Sequence, residues 1–208
     1  MKYWIRLFAL IFCIVLIFAV IGSLLPHGYS LEASRTINAP PSAVYQQIES
    51  LPKWKAWSQW NPEIVESLSI DYGPDGKSQR WTDVRGEGKL WFTKQKENQR
   101  IDYQLRFANF PEMSSSIELK ADAADPKKTT VSWSSEGVLP SGPFYGFFRH
   151  IFVDGMTVEY ETSLQRLAKT VEVATESPGD VEIAASADKD GAQVSENENE
   201  STAAATSP

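Results

Sequence analysis

The chain has 208 residues, of which 42% are hydrophobic and 12% aromatic, enough for one domain with a single core. Its formal net charge is −7, yet residues 171–208 hold nine acids and one base, so the first 170 residues sum to about +1. A near-neutral body with no clustered basic face excludes a nucleic-acid footprint, and a single cysteine, Cys13, excludes an intramolecular disulfide.

Leu7 to Leu25 is a run of nineteen residues without a charge, LFALIFCIVLIFAVIGSLL. At 1.5 Å per residue a helix of this length roughly matches the ~30 Å hydrocarbon core of a bilayer. Residues 1–6 form a short N-terminal flank in which Lys2 and Arg6 supply positive charge and Tyr3 and Trp4 supply interfacial aromatics. The positive-inside rule keeps that flank cytoplasmic and exports the rest of the chain, onto the periplasmic side of the inner membrane in a Gram-negative cell. A cleaved signal peptide is the rival reading. The length of the run favours an uncleaved anchor over residues 7–25, and so does the want of an A-x-A cleavage site. Cys13 lies too deep in the run for a lipid-modified cysteine and reads as a small apolar filler.

Pro26 and Gly28 end the helix, and the short break places the following domain close to the membrane. His27 reads as a solvated linker residue. Leu31, Ala33 and Ile37 suit an opening strand. Pro40 and Pro41 suit a helix entry, and Val44, Ile48 and Leu51 give that helix one apolar face. A second short helix is expected to carry Trp54, Trp57 and Trp60 on one broad face, either as a lid over the sheet or as an aromatic surface toward the headgroups. Strand-like runs then follow, divided by turn signals. Leu68–Tyr72 ends at Gly73-Pro74-Asp75-Gly76, Ser78–Val84 stops at Gly86-Glu87-Gly88, and Leu90–Lys94 leads to Lys96-Glu97-Asn98. Ile101–Phe107 alternates strictly, which puts Tyr103 and Leu105 on a dry face and Asp102 outward. By the same alternation Asp83 is expected outward. Met113–Ala121 and Thr129–Trp133 complete an antiparallel meander.

Pro143 to about Thr170 predicts a long final helix with Phe144, Phe148, Phe152, Met156, Tyr160, Leu164 and Ala168 recurring every four residues. Gly155 marks a place for a kink. Residues 173–208 are acidic and poor in large apolar residues, which predicts a disordered tail. Asn199-Glu200-Ser201 within it matches a glycosylation acceptor only by chance.

The order strand, short helices, meander, long C-terminal helix matches the helix-grip arrangement, an α+β fold. Ser34-Arg35-Thr36-Ile37-Asn38-Ala39-Pro40-Pro41-Ser42-Ala43-Val44-Tyr45 resembles the opening of the START-like superfamily, also called SRPBCC or polyketide cyclase/dehydrase proteins. The tryptophan-rich Leu51–Trp60 resembles the stretch after their first helix, and Glu161–Glu172 resembles the end of their final helix. The resemblance covers residues 29–172. It implies a START-like (Bet v1-like) domain in which a curved antiparallel sheet wraps the C-terminal helix and leaves a cavity between them. The superfamily includes lipid carriers, hormone receptors and cyclases, so the likeness is specific for fold and not for function.

On that fold the residues expected around the cavity are Tyr103, Leu105, Trp133, Phe148, Phe152 and Met156, with Trp57 and Trp60 near its mouth. For each of these side chains plain core packing is the competing explanation. The function expected is a membrane-anchored exported domain that binds an apolar small molecule or lipid. A cyclase/dehydrase-type enzyme would need acid–base residues in the same cavity. The candidates are His150, Asp154 and Glu159, of which His150 and Asp154 share a helix face. A non-catalytic interaction module with a filled cavity is the third alternative. Two histidines in all and the lack of phosphate or dinucleotide motifs give no metal site and no cofactor to expect.

Overall fold

The apolar pattern sorts the chain into a helix that is apolar on all faces and a sheet that closes around a second one. The computed structural model describes residues 2–176 except 63 and 66. Helix α1 (Lys2–Leu24) is apolar on every side and almost wholly exposed. By length and composition it is the one helix among the described residues able to cross a membrane.

Strand β1 (Gly28–Ile37) starts after only three intervening residues. Helix α2 (Pro41–Ile48) opens on Pro40 at its N-cap and Pro41 in its first turn, where a missing N–H leaves no bond unmade. It buries Val44, Tyr45 and Ile48. Helix α3 (Leu51–Trp54) is a single turn. Six further strands follow: β2 (Ser69–Tyr72), β3 (Ser78–Asp83), β4 (Gly86–Lys96), β5 (Arg100–Phe107), β6 (Met113–Ala121) and β7 (Thr129–Val138). The chain closes with α4 (Tyr145–Glu176), a helix of 32 residues.

All seven strands are antiparallel in the order β1-β7-β6-β5-β4-β3-β2, so the first strand pairs with the last. This is the helix-grip architecture expected from the sequence. Strict alternation sends Ile101, Tyr103, Leu105 and Phe107 of β5 to the helix-facing side and Asp102 to the other, where Arg100 Nε donates to its Oδ1 at 2.6 Å. On α4 the buried stripe is Tyr160, Ser163, Leu164, Leu167, Ala168 and Val171, the three-and-four spacing of one helical face. The Trp133 ring stacks on Tyr160 at 4.0 Å. Beneath them Trp133 Nε1 donates to the Tyr103 hydroxyl at 2.8 Å, and Ser135 Oγ and the Tyr160 hydroxyl lie 2.6 Å apart.

The structure corrects several expectations. Trp54, Trp57 and Trp60 do not ride on one helix, because α3 ends at Trp54. The chain turns and folds the three rings together, with Trp54 at 5.1 Å from Trp57 and 6.0 Å from Trp60. Trp54 and Trp57 are fully buried, which removes any aromatic face toward headgroups. Their indole N–H groups donate to the carbonyls of Ile48 and Gln47. Gly86-Glu87-Gly88 is not a turn but the start of β4, and the connection is the two-residue loop Val84-Arg85. Helix α4 runs through Gly155 without a break. It continues to Glu176, four residues into the segment expected as acidic tail; the rest of that tail, with Asn199, lies outside the described residues. His27 is half-buried rather than solvated, with its Nε2 3.4 Å from the Gly142 carbonyl.

Candidate functional site: a cavity between sheet and helix

The curved sheet leaves a cavity of about 250 Å³ against the N-terminal half of α4, just below the ~300–1,000 Å³ of ordinary ligand pockets. Its floor comes from inward positions of the strands: Tyr29 of β1, Trp81 and Asp83 of β3, Leu105 and Phe107 of β5, and Met113 of β6. Phe152 and Met156 of α4 form the opposite wall. The segment after α3 contributes Gln59, Trp60, Val65 and Leu68, and the β5–β6 turn contributes Phe110 and Pro111. Aromatic contacts fix this lining. Phe152 meets Tyr29 edge-on at 5.0 Å and stacks with Phe110 at 6.1 Å, while Trp81 stacks with Phe107 at 6.2 Å. The Trp81 indole lies directly over Gly88 on the neighbouring strand. A Cβ there would stand 2.1 Å from the ring, so only glycine leaves space for that seat.

The polar groups are few. Asp83 ends β3 with its carboxylate fully shielded, and Arg85 folds back over it from the hairpin loop. Arg85 Nη2 and Nε donate to Asp83 Oδ2 at 2.6 and 3.1 Å, and the Arg85 backbone N–H donates to Oδ1 at 2.7 Å. These bonds, above all the guanidinium, hold the Asp83 carboxyl below its usual range. The Arg85 guanidinium also lies 5.8 Å from the Phe107 ring centroid. Burial, with a smaller repulsion from Tyr160, pushes the Tyr29 hydroxyl up to about 12, so it is a neutral donor throughout the physiological range.

Of the side chains named from the sequence, Trp60, Leu105, Phe152 and Met156 line this cavity. Trp57, Tyr103 and Trp133 do not; they are packed in the core beside it. Phe148 is turned away and 55% exposed. A strict four-residue spacing precesses about 40° per step on a helix of 3.6 residues per turn, so Phe148 lies a third of a turn around from Tyr160. The acid–base candidates do not meet inside either. His150 and Asp154 are exposed, and Glu159 accepts a 3.3 Å hydrogen bond from Ser163 on its own helix. Among the described residues no three His, Cys, Asp or Glu side chains gather into a metal site.

The sequence reading missed Asp83 and Arg85. It placed Asp83 outward, but Gln79, Trp81 and Asp83 alternate inward together. The signal was the spacing of two from Trp81, which puts Asp83 on the face of the large aromatic.

A family description, polyketide cyclase/dehydrase and lipid transport, matches residues 29–172, and the chain belongs to that family. Solved structures of the same fold include a Thermus thermophilus protein with 20% identity, covering 70% of this chain and 99% of its own, at a TM-score of 0.53. A Staphylococcus aureus protein of unknown function shares 11% identity over 73% of this chain and 98% of its own, at a TM-score of 0.55. A third, from Chromobacterium violaceum, shares 17% identity over 69% of this chain and 97% of its own, at 0.50. At these identities the likeness is one of fold. No curated protein matches the sequence.

Proposed function

We propose that this chain is a membrane-anchored, exported domain that binds an apolar small molecule or lipid in the cavity under Phe152 and Met156. The observation that carries the reading is the lining: aromatic and aliphatic side chains from sheet and helix with a single charged pair, Asp83–Arg85, in the wall. Burial of apolar ligand surface at ~25 cal/mol per Å² would supply the affinity. Two of the five N–H donors of Arg85 are engaged by Asp83. The others are suited to an oxygen at the polar end of the ligand. The family description, with its mention of lipid transport, supports the same ligand class. The uncharged length of α1 supports an anchor, and Lys2 and Arg6 ahead of it support a cytoplasmic N-terminus.

The test is native mass spectrometry of the full chain, extracted in mild detergent, with analysis of released lipids. A stoichiometric lipid or apolar metabolite is expected. Met156→Trp, which fills the cavity from the helix side, should abolish that occupancy while far-UV circular dichroism is retained. A protein that carries no such molecule, and takes up no fluorescent fatty acid, would remove the binding reading.

A further inference from the structure

Helix α4 has a second apolar face that the sheet does not use. Phe144, Phe148 and Ile151 are 59%, 55% and 68% exposed, and Phe147 lies beside them. At about 100° per residue Phe147, Phe148 and Ile151 fall on the side of the helix away from Tyr160, within its first two turns, and Phe144 stands just ahead of its first residue. The patch ends at the exposed carboxylate of Asp154. A contiguous exposed group of large apolar side chains marks a surface that meets something other than water.

The neighbouring helix says what that is. Phe147 contacts Phe18 of α1, with ring centroids 5.8 Å apart. Gly22 and Gly146 let the two backbones touch, since a Cβ on Gly22 would stand 1.7 Å from the Pro143 carbonyl oxygen. Phe18 lies six residues inside the end of α1 at Leu24, which is about 9 Å along the helix axis. The backbones cross at the end of the apolar run, where a Cβ on Gly146 would stand 2.6 Å from that of Leu25, and from there the Phe147 ring reaches back to the level of Phe18. Interfacial helices bury their apolar faces about 5–10 Å into the boundary between headgroups and acyl chains.

We propose that the first two turns of α4, through Phe147, Phe148 and Ile151, are embedded in the lipid bilayer interface beside α1, together with Phe144 just ahead of them. The inference rests on the reading of α1 as an uncleaved membrane span. The occupant of the patch is lipid, because the patch adjoins the one helix among the described residues that is built for lipid on all sides. The consequence for binding is positional. Phe152, one residue beyond Ile151, lines the cavity, so the embedded face and the cavity wall are adjacent surfaces of the same turn.

The experiment uses the full chain with Cys13→Ser, reconstituted in phosphatidylethanolamine/phosphatidylglycerol vesicles. Single nitroxide labels are placed by Phe148→Cys and Ile151→Cys. Phe12→Cys in α1 and Lys127→Cys in the β6–β7 turn serve as references. Lys127 lies at the end of β7 remote from Gly28, across a ten-residue strand. Collision with oxygen, which concentrates in lipid, and with a water-soluble nickel chelate is measured at each site. Labels at 148 and 151 are expected to meet oxygen several-fold more, and the chelate several-fold less, than the label at 127. If 148 and 151 behave like 127 while 12 is in lipid, the embedded face is refuted and the anchor stands. If 12 is itself in water, or lost by cleavage, both readings fall. If 148 and 151 are shielded from both reagents, a second copy or another protein covers the patch, which also overturns the proposal.

Discussion

Asp83 is the residue where charge and cavity meet. Its carboxyl titrates below the usual range because Arg85 holds the ionised form. A carboxylate depressed in the folded state adds stability that is full above its unfolded pKa near 4 and is lost as the pH falls through its folded value. Arg85→Met removes the guanidinium but keeps the reach of the side chain. The bond lost is charge-assisted, but the arginine is 63% exposed. Solvent screening therefore brings the expected destabilisation at pH 7 down to about 1 kcal/mol. The gap between variant and parent should narrow as Asp83 is protonated. Urea melts at pH 7 and pH 3 measure it, and an unchanged gap would show that Asp83 is not the titrating partner. Such a pair is hard to read in a sequence. The dry face of β5 is all apolar, so its alternation is plain, whereas β3 sends Gln79 and Asp83 inward with Trp81. An acid on a buried face looks like a solvent-facing one until the partner that satisfies it is known, and Arg85 is brought to Asp83 by a loop.

At the scale of elements, the length and phase of α4 decide both of its faces. Its existence and C-terminal burial were legible, because Tyr160, Leu164, Leu167 and Val171 keep a helical period against the sheet. Its N-terminal phase was not. Counting by fours runs Phe144 and Phe148 into the core stripe, while Phe144 precedes the helix and the true helical phase carries Phe148 round to the outside. The tryptophan series misled in the same way, since a spacing of three fits a helix that the fold stops at Trp54. Gly155 tests whether α4 needs freedom at its centre. The helix is unbroken there, and nothing lies within 4 Å of a Cβ at that position. Gly155→Ala should therefore stabilise the protein by about 0.5–1 kcal/mol, a rise of roughly 2–4 °C in Tm at the upper end. A fall in Tm in calorimetry would mean that the helix bends at Gly155 when it works.

At the scale of the molecule, the question is whether the domain swings on its tether or is held. Only Leu25, Pro26 and His27 separate α1 from β1, and this stretch is stapled from three sides. The Leu139 N–H donates to the His27 carbonyl at 2.9 Å, Arg149 Nε donates to the Gly28 carbonyl at 2.7 Å, and His27 Nε2 lies 3.4 Å from the Gly142 carbonyl. Beside the staple, Gly146 would carry a Cβ only 2.6 Å from that of Leu25 and 2.7 Å from the Gly22 carbonyl oxygen. Small residues at a helix crossing allow this backbone approach, as they do between membrane helices. With α1 as the proposed membrane span, a held domain would keep its cavity at a fixed height over the bilayer, which would favour capture of a molecule from the membrane over capture from bulk water. Gly22→Val forces α1 and α4 apart, with an overpacking cost of about 1–3 kcal/mol confined to the crossing. Amide exchange should then speed up over residues 22–28 and 140–147, while the amides of β5–β7 keep their protection, because the core cluster around Trp133 and Tyr160 does not involve the crossing. Equal exchange in parent and variant would mean that the crossing does not hold the domain, and the staple alone would then have to set its height.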